Sequence, residues 1–228
     1  MSLNRPFLAT TLDQRIPAEL EQLYQRTRVS VSDEDKMLGI HLLIDALCEL
    51  MDTCFGQIFE EMARTHPSKE LKDAHAVIDE IKSKAHHYLG WVAGFLANSR
   101  LPPVIAHYHS MNHLMDLGEG AKVYMAFNIE PAFAAELKPA LAKLADGSLT
   151  DIHEVVELLI RVMDVTLEPL LLTPKNLMKF NFVINKTLDG VIAVVRMLNR
   201  RMLRKLAPSM PRELYPTVAK HLALFLYA

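Results

Sequence analysis

The chain has 228 residues, 50% of them hydrophobic and 23% charged, the composition of a globular protein long enough to bury a real core. A formal net charge of −2 excludes a polyanion-binding surface spread over the whole molecule, though not a local patch. Eight glycines, against a usual share of about 7%, leave few positive-φ positions and favour helices over hairpins.

Residues 1–16 read as an irregular arm, and Pro17 suits the first turn of a short helix over roughly 17–28. Ser32 is a good N-cap. Asp33, Glu34 and Asp35 follow it at the positive end of the helix dipole. That helix should run to about Thr65, before Pro67, with an apolar stripe of Ile40, Leu43, Leu47, Met51, Cys54, Ile58 and Met62 in steps of three and four. The same helix carries both cysteines. Cys48 and Cys54 lie roughly 9 Å apart along the axis at about 1.5 Å per residue, too far for a disulfide. Free thiols in a helical core point to a reducing compartment. The first residues hold no continuous apolar h-region, and no apolar run reaches about 18 residues. The sequence therefore predicts a cytoplasmic protein without a membrane span.

Ser68 caps a second long helix with a heptad-like seam of Leu71, Ala74, Ile78, Ile81, Ala85, Tyr88, Val92 and Phe95. From Tyr88 to Ala97 it is apolar on every side, which predicts complete burial. Gly90 and Gly94 would let another helix approach there. Pro102 and Pro103 open a helix over about 103–117, closed by Gly118 and Gly120. Residues 121–129 alternate in a strand period, but a lone strand is not stable. Pairing with the N-terminal arm, pairing with a second copy, or a helix all remain open for this segment. Pro131 starts an Ala-rich helix ending near Gly147. The next helix runs to about Leu172, bent or ended by Glu168-Pro169. Thr173-Pro174 begins a long helix to about 206. The last spans about 212–227, with more apolar surface than one stripe requires.

Several clusters suggest chemistry. His109 and His113, four residues apart, with Asp116 one turn on, could ligate a divalent metal such as zinc or iron. At about 100° per residue they fall opposite Val104, Tyr108, Met111 and Met115, so a solvated polar face is the competing interpretation. His41, Asp45, Glu49 and Asp52 align opposite the apolar stripe of their own helix. If the two faces met, a carboxylate–histidine metal site would result. The Glu-x-x-His pairs of ferritin-type di-iron bundles are absent. His86-His87-Tyr88-Leu89-Gly90 resembles the phosphoacceptor stretch of histidine phosphotransferases, which carry His, any residue, Leu, Lys, Gly. Here the lysine is missing and the glycine arrives one position early.

Arg196, Arg200 and Arg204 share a face, joined by Arg201 and Lys205, in a stretch without acids from Asp189 to Glu213. They suit an anion or an acidic partner, or simply the negative end of a helix dipole. No aromatic residue interleaves the run and no helix-turn-helix signature is evident, so nucleic acid is not the expected partner. Twelve methionines, adaptable fillers, suit either plain core or a malleable ligand cavity. No nucleophile elbow or phosphate-binding glycine loop occurs.

These observations predict one all-α domain over residues 1–228. It would be a multi-helix bundle of about seven to nine helices, with a layer seam near 118–120 and with 121–129 either one short strand or a further helix. The leading functional expectation is a non-enzymatic regulatory or interaction protein, a homodimer, with an apolar cavity for a small molecule. The alternatives are a metal-binding helical protein using His109, His113, Asp116, His41 and Asp45, and an anion or nucleic-acid binder using Arg196, Arg200 and Arg204.

Overall fold

The computed structural model describes residues 3–4, 6–118 and 120–227. The chain is mostly helical, at 74%, yet it also carries a four-stranded sheet. Among the described residues, ten α-helical segments join across two π-helical turns into eight continuous helices. None is long and apolar enough to cross a membrane.

Local signals fix the helix starts. After α1 (Arg15–Thr27), Ser32 and Asp35 form a reciprocal capping box. The serine hydroxyl accepts from the Asp35 amide at 3.0 Å, and the Asp35 carboxylate accepts from the Ser32 amide at 3.1 Å. Helix α2 (Asp33–Met51) then runs through a π-turn, Asp52–Gly56, into α3 (Gln57–Thr65). The expected end at Thr65 holds, and Pro67 explains it. Ser68 caps α4 (Lys69–Ala93) by accepting from the Leu71 amide at 3.2 Å.

Helix α5 spans only Leu101–His109, shorter than the expected 103–117. The following residues form β2 (Asn112–Asp116). A hairpin leads to β3 (Ala121–Asn128), so the segment left open between strand and helix is a strand. Gly118 and Gly120, at φ +105° and +84°, shape this turn rather than a helix C-terminus. Asp116 Oδ1 accepts from both their amides, at 2.9 and 3.1 Å. The partner of β3 is β1 (Phe7–Thr11), from the arm expected to be irregular. All pairings are antiparallel in the order β2-β3-β1-β4, with Phe7 opposite both Asn128 and Tyr227. Phe7, Leu8, Ala9 and Thr10 are buried on both faces of the strand. They therefore show no alternation that would reveal it.

The second half runs through α6 (Pro131–Ala145), α7 (Ile152–Leu167), a π-turn at Glu168–Leu172 and α8 (Thr173–Met178). Thr173 does not start a new helix. The break in the expected 174–206 helix comes at Lys179, which is left-handed at φ +50°. Asn181 then caps α9 (Phe182–Leu206), accepting from the Ile184 amide at 3.0 Å. Helix α10 (Tyr215–Ala223) ends before β4 (Leu226–Tyr227), which closes the sheet edge against β1. Leu222 and Leu226 thus pack, half-buried, against the core of their own chain, while Leu224 stays 59% exposed.

Two large helical clusters share the interior. One gathers Leu23, Ile40, Val92, Leu101 and Ile105, the other Met62, Leu144, Val155, Val156 and Met202. The 88–97 segment is not the fully buried hub that its composition predicts. Val92, Ala93 and Leu96 are buried, but Trp91 and Phe95 are 37% and 51% exposed. A Cβ at Gly90 would meet nothing within 4 Å. The close helix approach occurs instead at Gly39 on α2, where a Cβ would lie 3.1 Å from Leu101 Cδ1 and 3.2 Å from Ile105 Cδ1 of α5.

Candidate functional site

The interior is not filled between these clusters. A cavity of about 240 Å³ runs between α2, α4, α7, α9 and the sheet. Its wall comes from the residues the helical periodicities turn inward: Leu43, Leu47 and Met51 of α2, Ile81, Ala85 and Tyr88 of α4, and Leu188, Ile192 and Val195 of α9. Leu8, Thr10, Met125 and Phe127 close it from the inner face of the sheet, and Leu222, Phe225 and Leu226 from the C-terminus. Several stripe positions, among them Leu47, Met51, Cys54 and Tyr88, are only half-buried.

Both π-turns border this space. The first contributes Cys54 and Phe55, the second Leu170 and Leu171. Such turns widen a helix by one residue and recur at functional sites. Each is braced from outside by a histidine Nε2. His221 donates to the Cys54 carbonyl at 3.2 Å, and His107 donates to the Pro169 carbonyl at 2.7 Å. A carbonyl only accepts, so each of these nitrogens carries the proton. The buried phenol of Tyr108 donates to the Leu170 carbonyl. Pro169, lacking an amide proton, cannot continue the α-helical ladder, which accounts for the position of the second turn. The glutamate–proline pair was legible as a disruption, but its form as a π-turn was not.

Polar groups on the wall are few. Burial pushes the Cys54 thiol up to about 12 and raises Cys48 as well, so neither is a thiolate nucleophile near neutrality. Cys48 Sγ lies 3.6 Å from His86 Nε2. Burial also raises Tyr108. The stems of Lys82, Lys84 and Lys175 reach the wall, but their ammonium groups pair with Asp52, Glu80 and Asp189. Asn199, 3% exposed, is the remaining wall amide.

The structure disperses the residues expected to form a metal site. His109, at the end of α5, stacks on Tyr24 with ring centroids 4.0 Å apart, and its Nε2 lies 2.5 Å from Glu21. His113 sits on β2, not on the helix of His109, and burial lowers its pKa. Asp116 is occupied by the hairpin glycines. His41 is exposed on α2, and Asp45 pairs with Arg15 at 2.8 Å. Glu49 accepts from the Asp13 amide, and burial raises its pKa. Among the described residues, no group of three or more His, Cys, Asp or Glu side chains is placed to hold a metal ion. The one-face geometry required α5 to continue to residue 117, and the strand at Asn112 removes it.

The basic run on α9 turns toward α7 and α4. Arg196 and Arg200 both reach Asp164, at 3.6 and 2.5 Å, and Arg204 makes a two-pronged contact with Glu157 at 2.9 and 3.1 Å. Lys205 pairs with Asp73. Such exposed pairs are worth about 0–1 kcal/mol each. Arg196, Arg200 and Arg204 line a shallow groove with Arg201, Asp189 and Met197, and each of the first three already has an acidic partner.

Comparisons with protein-family models, with curated proteins and with solved structures found nothing that matches this chain.

Proposed function

We propose that the protein is a non-enzymatic binding protein for an apolar small molecule, seated in the cavity between its helical layers, and that it acts as a regulatory or interaction module. The observation that supports this is the cavity itself. Protein interiors hold few voids larger than a water molecule. A space of about 240 Å³ walled by apolar side chains leaves those side chains without the contacts that stabilise a packed core. A smaller apolar cavity of roughly 150 Å³ stays dry and takes up benzene. A molecule of apolar surface would recover the missing contacts. The two π-turns at the wall, each braced by a histidine, fit a site that is built rather than a packing fault. The homodimer part of the reading draws on Phe182 and Val183, 75% and 71% exposed at the start of α9.

Organic extraction of the purified protein followed by mass spectrometry should release a stoichiometric apolar compound. Stripped protein should gain thermal stability from apolar probes. Ala85→Trp or Val191→Trp, both filling the cavity, should abolish that gain while raising the stability of the stripped form. Absence of any co-purifying compound, together with unchanged melting in apolar probes, would refute the reading. A strictly monomeric sedimentation profile would refute the dimer.

A further inference from the structure

Three side chains that are polar or charged are buried among the described residues: Thr10, Thr27 and Asn199. Thr27 donates to the Tyr24 carbonyl at 3.2 Å, and Thr10 donates to the Thr11 carbonyl at 3.3 Å. Asn199 differs. It is 3% exposed, it belongs to the cavity wall, and its Oδ1 finds no hydrogen-bond partner among the described residues. It projects from α9, where Val195 and Leu198 lie with Ile81 of α4 and Leu167 of α7. An amide oxygen shut away from water without a donor costs stability. A leucine at the same position would carry no such cost, so plain core packing does not account for the residue.

We infer that Asn199 is a specificity-determining residue, and that the ligand of the cavity is a neutral, mostly apolar molecule carrying a hydroxyl group that donates its hydrogen bond to Asn199 Oδ1. This rests on the reading of the cavity as a ligand site and names the class of ligand it takes. The donor has to be neutral. An ammonium group would be stripped of water in an apolar wall that carries no carboxylate among the described residues, and Asp52, Glu80 and Asp189, the partners of the wall lysines, already hold Lys82, Lys84 and Lys175. An anionic head is disfavoured for the complementary reason. The three lysines whose stems reach the wall have their charges paired, Lys84 with Glu80 at 3.3 Å, and an amide oxygen facing a carboxylate is a meeting of two acceptors. One hydroxyl on an aliphatic or alicyclic body satisfies the oxygen, and the methionine, leucine and isoleucine side chains cover the remainder.

The test is calorimetric titration of the stripped full-length protein with octan-1-ol, 1-methoxyheptane and octanoate. The ether has the size and the oxygen of the alcohol but can only accept a hydrogen bond. For the wild type, the alcohol should bind about tenfold more tightly than the ether, and octanoate should be the weakest. In Asn199→Leu, and in Asn199→Ala as a second variant, the alcohol-to-ether ratio should fall about tenfold, with the ether itself binding no worse. A ratio unchanged by both variants, an ether preferred by the wild type, or octanoate bound as tightly as the alcohol would each overturn the inference while leaving the apolar site standing. Failure of the wild type to bind any of the three would overturn the inference and the cavity reading together.

Discussion

The phenol of Tyr108 donates its hydrogen bond to the main-chain carbonyl of Leu170, tying α5 to the π-turn that forms one end of the cavity wall. His107, the preceding residue, holds the adjacent Pro169 carbonyl at 2.7 Å. A π-turn leaves carbonyls out of the ordinary helical ladder, and here consecutive side chains from another helix satisfy them. Tyr108→Phe keeps the ring and strands a buried carbonyl. The expected loss is about 1–3 kcal/mol, read as a lower urea midpoint at unchanged slope, together with weaker uptake of apolar probes. Wild-type stability in this variant would show that the bond does not brace the turn.

Alkaline stability should be governed in part by Cys54. Its ordinary value is 9.0, and burial pushes it up to about 12 in the folded chain. Between these pH values the unfolded chain releases the thiol proton and the folded chain retains it. The unfolded state is therefore favoured progressively, and stability falls as pH rises through that window. Tyr108, raised from 10.0 by burial, acts with the same sign once pH passes its ordinary value. Denaturation midpoints should decline from about pH 9 upward, and Cys54→Ala should flatten part of the decline. A pH-independent midpoint up to pH 11 would contradict the burial of both groups.

Gly90 on α4 and Gly190 on α9 are exposed, and a Cβ at either would meet nothing within 4 Å. Neither has the positive φ that would require glycine. Gly90→Ala and Gly190→Ala should each stabilise the protein by about 0.5–1 kcal/mol, through helix propensity and reduced freedom of the unfolded chain. Loss of stability at Gly90 would indicate that another surface comes close to that face.

The hairpin between β2 and β3 should respond in the opposite direction. Gly118 sits at φ +105°, and Gly118→Ala should cost about 1–2 kcal/mol from backbone strain alone, despite open space around it. Asp116→Ala removes the acceptor for the Gly118 and Gly120 amides. It should cost about 1–2 kcal/mol. Chelators should leave its melting temperature unchanged if the aspartate serves the turn, whereas a metal-dependent melting shift lost in this variant would restore a ligand role.

Much of the helical framework was legible. Ser32, Ser68 and the prolines act within a few residues of themselves, and the three-and-four spacing of Ile40, Leu43 and Ile58 reports the buried side of a helix whatever lies opposite. The site was legible only in outline. The stripes of α2 and α4 name part of its wall, but Leu47, Met51 and Tyr88 would look the same in sequence if they met in a closed core. Asn199 carried no signal at all, being an ordinary helix residue until its neighbours are known. Among the described residues His109, His113 and Asp116 do not share one helix face, for a related reason. A strand beginning at Asn112 is stabilised by β3, and nothing in α5 itself shows where the helix gives way.

The sequence by itself determined where most helices begin and which side of each is apolar, because caps, prolines and periodicity work over one or two turns of chain. Only the tertiary structure decided that the N-terminal arm is a central strand, that the C-terminus closes the sheet, and that the helical layers stop short of filling the space between them. Phe7 meets Asn128 and Tyr227 across most of the chain's length. A cavity is likewise a property of how far separate elements stand apart, set by side-chain volumes on opposing surfaces rather than by any residue's neighbours in sequence.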